Sequence, residues 1–403
     1  MLTSVELFAG AGGLGLGVSL AGFKPLAVVE WDRWATDTMR ENRDRGFPLV
    51  QDWPIHCGDV RSVDYSAIGK GIDLVSGGPP CQPFSLGGKH RAHDDQRDMF
   101  PATVDIIRRL RPRAFIVENV RGLTRAAFAN YYHYILLQLE HPEIAMAPDE
   151  AWPDHYARLQ KEHTSGNRDG LHYNVVPTLV NAADYGVPQK RERVFIVGFR
   201  DDLGIQWAFP KPTHSQESLM VDQWITGDYW KRHGRRKPSP TIAPQRLEAL
   251  RRSNDREDRR TRPWATVRDA FLDMPDPEKG VDPGWWNHQF QRGARVYPGH
   301  TGSPLDLPAK TLKAGNHGVP GGENMLIKDD GSVRYFSVRE SARLQTFPDT
   351  YRFHGAWSES MRQLGNAVPV TLAHLVASSV ADKLLELDMT ALMSRVSGRS
   401  NVA

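Results

Sequence analysis

The chain holds only two cysteines in 403 residues, and one of them has an unusual setting. Cys81 lies in Gly77-Gly78-Pro79-Pro80-Cys81-Gln82-Pro83. Proline fixes φ and lacks an N–H, so this stretch can be neither helix interior nor central strand. The thiol therefore sits on a stiff loop with little side chain nearby to bury it, the setting of a reactive cysteine. Cys57, in HCGDV, reads instead as a small core residue. Glu118 closes the apolar run AFIVENV and offers a carboxylate, while Gln189, Arg191 and Arg193 alternate in QKRERVFIVG so that all three would share one strand face. Two guanidiniums there suit a carbonyl and a phosphate.

A second group of residues points to a cofactor. ELFAGAGGLGLG contains Gly10-Ala11-Gly12-Gly13-Leu14-Gly15, a G-x-G-x-x-G directly after a strand pattern and opening a helix, and Glu30 ends the next strand. Glycines let the backbone turn tightly against a ligand, and a carboxylate at Glu30 can accept both ribose hydroxyls. A dinucleotide and S-adenosylmethionine satisfy this pattern equally. A nicotinamide enzyme needs no thiol, whereas a methyl donor needs a nucleophilic acceptor, and Cys81 favours the second.

The elements that must position these groups alternate. SVELF (4–8), LAVVE (26–30), IDLVSG (72–77) and AFIVENV (114–120) read as buried strands, and Leu14 to Ala21, Trp34 to Asn42 and Phe100 to Leu110 carry helix-spaced apolar residues. This predicts an α/β fold with a mostly parallel sheet covered by helices, in which Phe8, Glu30, Cys81 and Glu118 converge at the carboxyl ends of the strands. After about Arg200 the periodicity weakens and Pro, Gly, Arg and Trp dominate. PVTLAHLVASSVADKLLEL (369–387) then restores a helix expected to return to the first domain. Residues 141–170 and the tail after Ser394 read as loop. The expected organisation is a discontinuous catalytic domain, 1–199 with 357–403, and a smaller irregular domain, 200–356.

Composition sets outer limits. With 40% hydrophobic residues the chain can bury a sizeable core. Two cysteines make no disulfide framework, and the histidines, His90 and His93 included, show no zinc-ligand spacing, so no metal is expected and the histidines read as scattered. No apolar run reaches membrane length and no signal peptide is evident, which fits a cytoplasmic protein. The net charge of +3 hides an uneven distribution: residues 231–262 hold twelve Lys or Arg against four acids, a surface suited to a polyanion.

Seven stretches in order, FAGAGGLGLG (8–17), GDV (58–60), GGPPCQPFS (77–85), ENV (118–120), QKRERVFIVG (189–198), RESARLQTFPD (339–349) and GNAVPV (365–370), resemble the DNA cytosine-5 methyltransferases, in the compact form of bacteria and phage. The resemblance spans nearly the whole chain. It implies a Rossmann-like S-adenosylmethionine-dependent methyltransferase sheet with helices on both faces, plus a target-recognition domain over the variable stretch.

The resemblance also implies roles. Cys81, stiffened by Pro80, would add to carbon 6 of cytosine and turn carbon 5 into an enamine-like nucleophile. Glu118 would hydrogen-bond the ring nitrogen and exocyclic amine, holding a proton with a raised pKa, and Gln189, Arg191 and Arg193 would support the base and its phosphate. Phe8 and Trp31 would face the adenine, Glu30 the ribose, and Asp59 with Val60 the adenine edge. The backbone of Ala9, Gly10, Gly12, Gly13 and Leu14 would surround the methionine part, with Gly78, Pro79, Asn366 and Val368 completing the pocket.

The cytosine must leave the helix to meet a thiol. The polar run 86–98, with Ser85, Lys89 and Arg91, would close over double-stranded DNA. Arg232, Arg235 and Arg236 would hold phosphates, and Arg292, Arg295, Lys313, Asn316 and His317, in two glycine-rich stretches, would approach base edges. The partner is double-stranded DNA with no membrane, the protein is expected to be a monomer, and a cognate restriction endonuclease could share its system. A transfer-RNA cytosine methyltransferase, a nicotinamide oxidoreductase and a non-catalytic DNA-binding repressor remain alternatives at this stage.

Overall fold

The computed structural model describes residues 1–69, 71–80, 98–166, 169–254, 261–298, 301–314 and 324–400. Cys81, Ser85, Lys89, Arg91, Asn316 and His317, and all but the last residue of the polar run 86–98, lie outside the described residues. The chain forms two compact units, the first made of Met1–Val180, Glu192–Pro210 and Ala373–Ala403, the second of Asn181–Arg191 and Lys211–Leu372. Residues 181–191 and 357–372, assigned to the first domain from sequence, thus group with the second unit.

The first unit is built on a seven-stranded sheet of β1 (Leu2–Leu7), β2 (Phe23–Glu30), β3 (Ile55–Cys57), β4 (Leu74–Gly77), β5 (Ala114–Val120), β6 (Tyr173–Asn181) and β7 (Glu192–Arg200). Their order is β3-β2-β1-β4-β5-β7-β6. The strands from β3 to β5 are parallel neighbours, and β7 runs antiparallel to β5. Leu7 stands opposite both Val29 and Gly77, and Gly77 opposite Val117, so β1 and β4 end level while β2 runs on to Glu30 and β5 to Val120. Chain order reverses between β1 and β4, the point where such sheets open a ligand crevice.

Helices α1 (Gly13–Leu20), α2 (Arg33–Asp44), α3 (Phe100–Leu110), α4 (Ala129–Glu140) and α5 (Trp152–Ser165) accompany the sheet. Alternation sends Val5, Leu7, Val75, Phe115 and Val117 to one face, where they pack with Phe100 and Ile107 of α3 and Tyr131 and Ile135 of α4. Glu6 points to the opposite face, fully buried, and hydrogen-bonds the Ser76 hydroxyl across the β1–β4 pair. α5 corrects the loop expected over 141–170: Pro153 suits its first turn and Gly166, at φ 69°, stops it.

The second unit has little continuous periodicity, and its elements are short. They are α6 (Gln216–Val221), α7 (Asp228–Arg232), α8 (Pro244–Asn254), α9 (Val267–Ala270), α10 (Val338–Leu344) and α11 (Trp357–Asn366), with a parallel pair β8 (His214–Ser215) and β9 (Arg262–Pro263) and a sheet β10 (Ser303–Pro304), β11 (Met325–Ile327) and β12 (Val333–Tyr335). Irregular backbone leaves carbonyls that ladders would otherwise satisfy, and arginines take their place. Arg339, fully buried, donates to the carbonyls of Trp286, Pro348 and Tyr351 at 3.0, 3.1 and 2.5 Å.

The last helix, α12 (Val370–Ser400), begins where expected and runs to Ser400, so residues 395–400 are helix where the sequence reading had loop. Its Ala373 meets α1 at Gly17, where an added Cβ would come within 2.4 Å of the alanine methyl. Arg113 ties the same helix down, donating to Asp388 at 2.6 Å and to Asp73 at 2.9 Å. The stretch 357–394 is long and apolar enough to cross a membrane by length and composition alone, but 67% of its most apolar window is buried inside the protein, as in a core helix.

Candidate active site

At the rim of the first unit, β1 ends in a backbone that a standard residue seldom adopts: Phe8 has φ 53°, followed by Gly10 at 54° and Gly12 at 87°. The turn folds on itself through Gly12 N–H to the Ala9 carbonyl at 2.9 Å and Leu16 N–H to Gly12 at 2.8 Å. Glu30, buried, locks it from the next strand, accepting from Gly10 N–H and Asp32 N–H at 2.7 Å each. Burial pushes the Glu30 pKa up, and those two backbone bonds oppose the shift. Above this turn the space beside Gly10 is open, Phe8 is half-buried, and Trp31 is 77% exposed. Ala9, Gly12, Gly13 and Leu14 are buried beneath it.

Asp59 follows β3 at the same rim. Arg61 holds its carboxylate by the side chain at 2.6 Å and by its N–H at 2.8 Å, and the side-chain bond lowers the Asp59 pKa. Val60 is buried, and its carbonyl accepts from Tyr65 at 2.9 Å. Cys57, expected in the core, is exposed at the end of β3, because that short strand buries only its first residue.

Glu118 and Arg193 form the second cluster of this unit. Glu118 stands opposite Phe195 in the antiparallel β5–β7 pair, and Arg193 Nε reaches its Oε1 at 2.7 Å with both side chains nearly buried. Burial pushes the Arg193 pKa down while Glu118 opposes that. The guanidinium fixes the position of the Glu118 carboxyl at the rim. Gly78 leaves room for Glu118: a Cβ there would lie 3.2 Å from Oε2. The next residue, Asn119, donates from Nδ2 to the Pro79 carbonyl at 3.0 Å. Pro80 is exposed at the edge of the described residues.

Gln189 and Arg191 differ from the expectation. They precede β7, which starts at Glu192, and both are fully buried in the second unit. Arg191 donates to the carbonyls of Gly365, Ala367 and Leu312 at 2.7, 2.8 and 3.0 Å. Gln189 accepts from Leu312 N–H at 3.0 Å and donates to the Leu344 carbonyl at 3.1 Å. Carbonyls of the chain itself take this guanidinium, one of the two expected from sequence to serve a base carbonyl and a phosphate. Asn366, exposed, lies between the two carbonyls that Arg191 holds, and Val368, buried, directly follows them.

Comparison with known proteins gives this arrangement its family. The model for the C-5 cytosine-specific DNA methylases matches residues 2–143 and 155–382. The chain belongs to that family. It is 30% identical over 388 residues to the Type II methyltransferase M.NgoMIV of Neisseria gonorrhoeae, covering 95% of this chain and 98% of that one. It is equally 30% identical to M.PspPI of Psychrobacter, over 93% of this chain and 78% of the relative. The S. pombe Dnmt2 methyltransferase shares the fold with a TM-score of 0.55 at 17% identity, over 95% and 99% of the two chains.

In this DNA cytosine-5 methyltransferase, several arginines expected on DNA are occupied within the second unit. Arg232 pairs with Asp222 at 2.5 Å and Asp269 at 3.0 Å and lies over the Tyr229 ring; Arg235 pairs with Asp329. Acids of neighbouring segments offset much of the local positive excess, which a count along the sequence cannot reveal. Arg236, Arg292, Arg295 and Lys313 are exposed. Within the reader stretch 284–302, His288 is buried between Ser337 at 2.8 Å and the Pro275 carbonyl at 2.7 Å, so it is framework. The sequence reading gave no role to Asn119, although ENV contained it; a polar residue after the strand's last carboxylate was the available signal.

Proposed function

We propose that this methyltransferase transfers the methyl group of S-adenosylmethionine to carbon 5 of a cytosine swung out of double-stranded DNA at a specific sequence, with Cys81 adding to carbon 6. The observation that carries the reading is the Glu118 carboxylate, buried at the rim and one residue from the amide that holds Pro79, so that the loop leading to Cys81 departs beside it.

The residues of the first unit fit the cofactor. The left-handed Gly10 and Gly12 leave open backbone, each Glu30 oxygen already bonded to an N–H keeps a lone pair for a ribose hydroxyl, and the exposed Trp31 offers a ring for stacking. When bound, the cofactor supplies an electrophilic methyl group. Cys81 attacks carbon 6 as thiolate, and Glu118 hydrogen-bonds the ring nitrogen and exocyclic amine where charge changes as sulfur adds. After methylation, loss of the carbon 5 proton to water breaks the carbon 6–sulfur bond and releases the Cys81 thiolate. Arg193 orients Glu118 and neutralises it between turnovers. The second unit supplies target recognition through its exposed cations, which contact phosphates and base edges. The names of the relatives support a role in restriction and modification.

The test is incubation of unmethylated genomic DNA with S-adenosylmethionine, followed by bisulfite sequencing. The expected result is cytosine-5 methylation at one sequence context, abolished in Cys81→Ser with duplex binding retained. Unchanged methylation in that variant refutes the nucleophile, and methylation of transfer RNA but not duplex DNA refutes the substrate.

A further inference from the structure

The three histidines nearest the end of α4 converge with a carboxylate. His163 Nδ1 lies 3.1 Å from Glu140 Oε1 and 3.4 Å from His141 Nε2, and the last two atoms are 3.8 Å apart. A circle through three atoms so spaced has a radius of about 2.0 Å, matching Zn–N bonds of about 2.0–2.1 Å and Zn–O bonds of about 2.0–2.2 Å. These side chains come from the C-terminal end of α4, from the residue after it, and from the last turn of α5.

The hydrogen-bond chain behind the triangle fixes which ring nitrogens carry lone pairs. His172 Nε2 lies 2.8 Å from the Asp169 carbonyl, which can only accept, so Nε2 carries the proton. With its proton on Nε2, the His172 ring presents its Nδ1 lone pair to His141 Nδ1, 3.0 Å away, which then donates. His141 is left with its Nε2 lone pair aimed at Glu140 and His163. A backbone carbonyl thus orients a ligand through two imidazoles, as outer partners do in metal sites. His141 and His172 are buried, and His163 is exposed, which leaves an approach from solvent.

We propose that Glu140, His141 and His163 bind one divalent transition ion of the zinc type, with water as a further ligand and His172 as the positioning residue. Binding displaces the proton that His163 Nδ1 shares with Glu140, and that proton goes to solvent. The site lies at the far end of the sheet from the rim: Asp201, after β7, donates to the His172 carbonyl, and β7 ends beside the start of β5. The ion is therefore structural, clamping α4 to α5 and to the entry of β6, and methyl transfer does not pass through it. Sequence spacing concealed the site because its residues lie at 140–141, 163 and 172 and no pair repeats a ligand interval.

The experiment is a titration of chelator-treated full-length protein with Co²⁺ and with Zn²⁺, read by visible absorption, calorimetry and thermal melting. One equivalent is expected, giving the ligand-field bands of a low-coordinate cobalt ion and a raised melting temperature. His163→Ala, exposed and so tolerated by the fold, removes the bands and weakens zinc binding at least 100-fold, and His172→Phe weakens it about ten- to 100-fold. Methylation by the wild type is expected to be the same at 25 °C with zinc or chelator. Zinc binding no tighter in the wild type than in His163→Ala, or cobalt spectra of a fully hydrated ion, overturns the proposal.

Discussion

Asn119 holds Pro79: its side-chain amide donates to the Pro79 carbonyl at 3.0 Å, joining the end of β5 to the loop that leaves β4. The bond spans the position beside Glu118 and fixes the first proline of PPCQP. Asn119→Ala frees that carbonyl and lets the loop wander. Since a displacement of about 1 Å at a reacting centre can cost about 10²-fold in rate, single-turnover methylation is expected to fall by that order while cofactor affinity changes little. Equal losses in both would assign Asn119 a general structural role.

Glu118 and Arg193 should separate by what their removal leaves behind. Glu118→Gln keeps the shape and a hydrogen-bonding edge, so melting is little changed while the methylation rate drops about 10²- to 10⁴-fold. Arg193→Ala breaks a buried ion pair by removing its guanidinium and costs about 3–5 kcal/mol of stability, measured by urea unfolding. A Glu118→Gln enzyme at full rate would remove the carboxylate from the reaction.

Arg191→Lys tests the brace in the second unit. Lysine cannot span the three carbonyls of Gly365, Ala367 and Leu312, and each buried carbonyl left unpaired costs about 1–3 kcal/mol. A lower unfolding midpoint is expected. Unchanged stability with a selective loss of DNA affinity would return Arg191 to the base-and-phosphate role expected of the arginine pair.

Glu6 gives a pH dependence with a definite sign. Burial pushes its pKa up to about 8, with the Ser76 hydrogen bond opposing, against 4.5 for the ordinary side chain. The folded state holds a proton that the unfolded state releases, so this group contributes most at low pH and its contribution is lost as pH rises from about 4.5 to about 8. The slope is about 1.4 kcal/mol per pH unit inside that window. Glu6→Gln should remove the slope. Urea unfolding of both proteins at pH 6 and pH 8 is expected to show the variant gaining about 2 kcal/mol relative to the wild type at the higher pH. Parallel curves would mean that Glu6 stays ionised.

The sheet and its rim were legible because their signals are local. Buried parallel strands read as short apolar runs, and the strands from SVELF to AFIVENV match β1, β2, β4 and β5 within a few residues. Phe8, Glu30 and Glu118 end or follow such runs, so their common rim followed from the fold class. The carbonyl partners of Gln189 and Arg191 were not legible, because alternation looks the same whether a guanidinium meets a ligand or a distant carbonyl. Arg232 and Arg235 misled for a related reason: their acids, Asp222, Asp269 and Asp329, come from segments up to 94 residues away. The helix at 152–165 was hidden by its weak apolar stripe, which buries only His155 and Leu159.

The contact between Gly17 and Ala373 bears on how a cell makes this protein. A nascent chain emerging from the ribosome presents α1 long before the helix that covers it exists, and the whole second unit must be synthesised in between. Until then the apolar side of α1 has no cover, so holding chaperones have a long window in which to act. Ribosome stalling within the second unit should leave a species prone to clump, and codon changes that slow translation there should lower yield while leaving the purified enzyme's unfolding free energy unchanged.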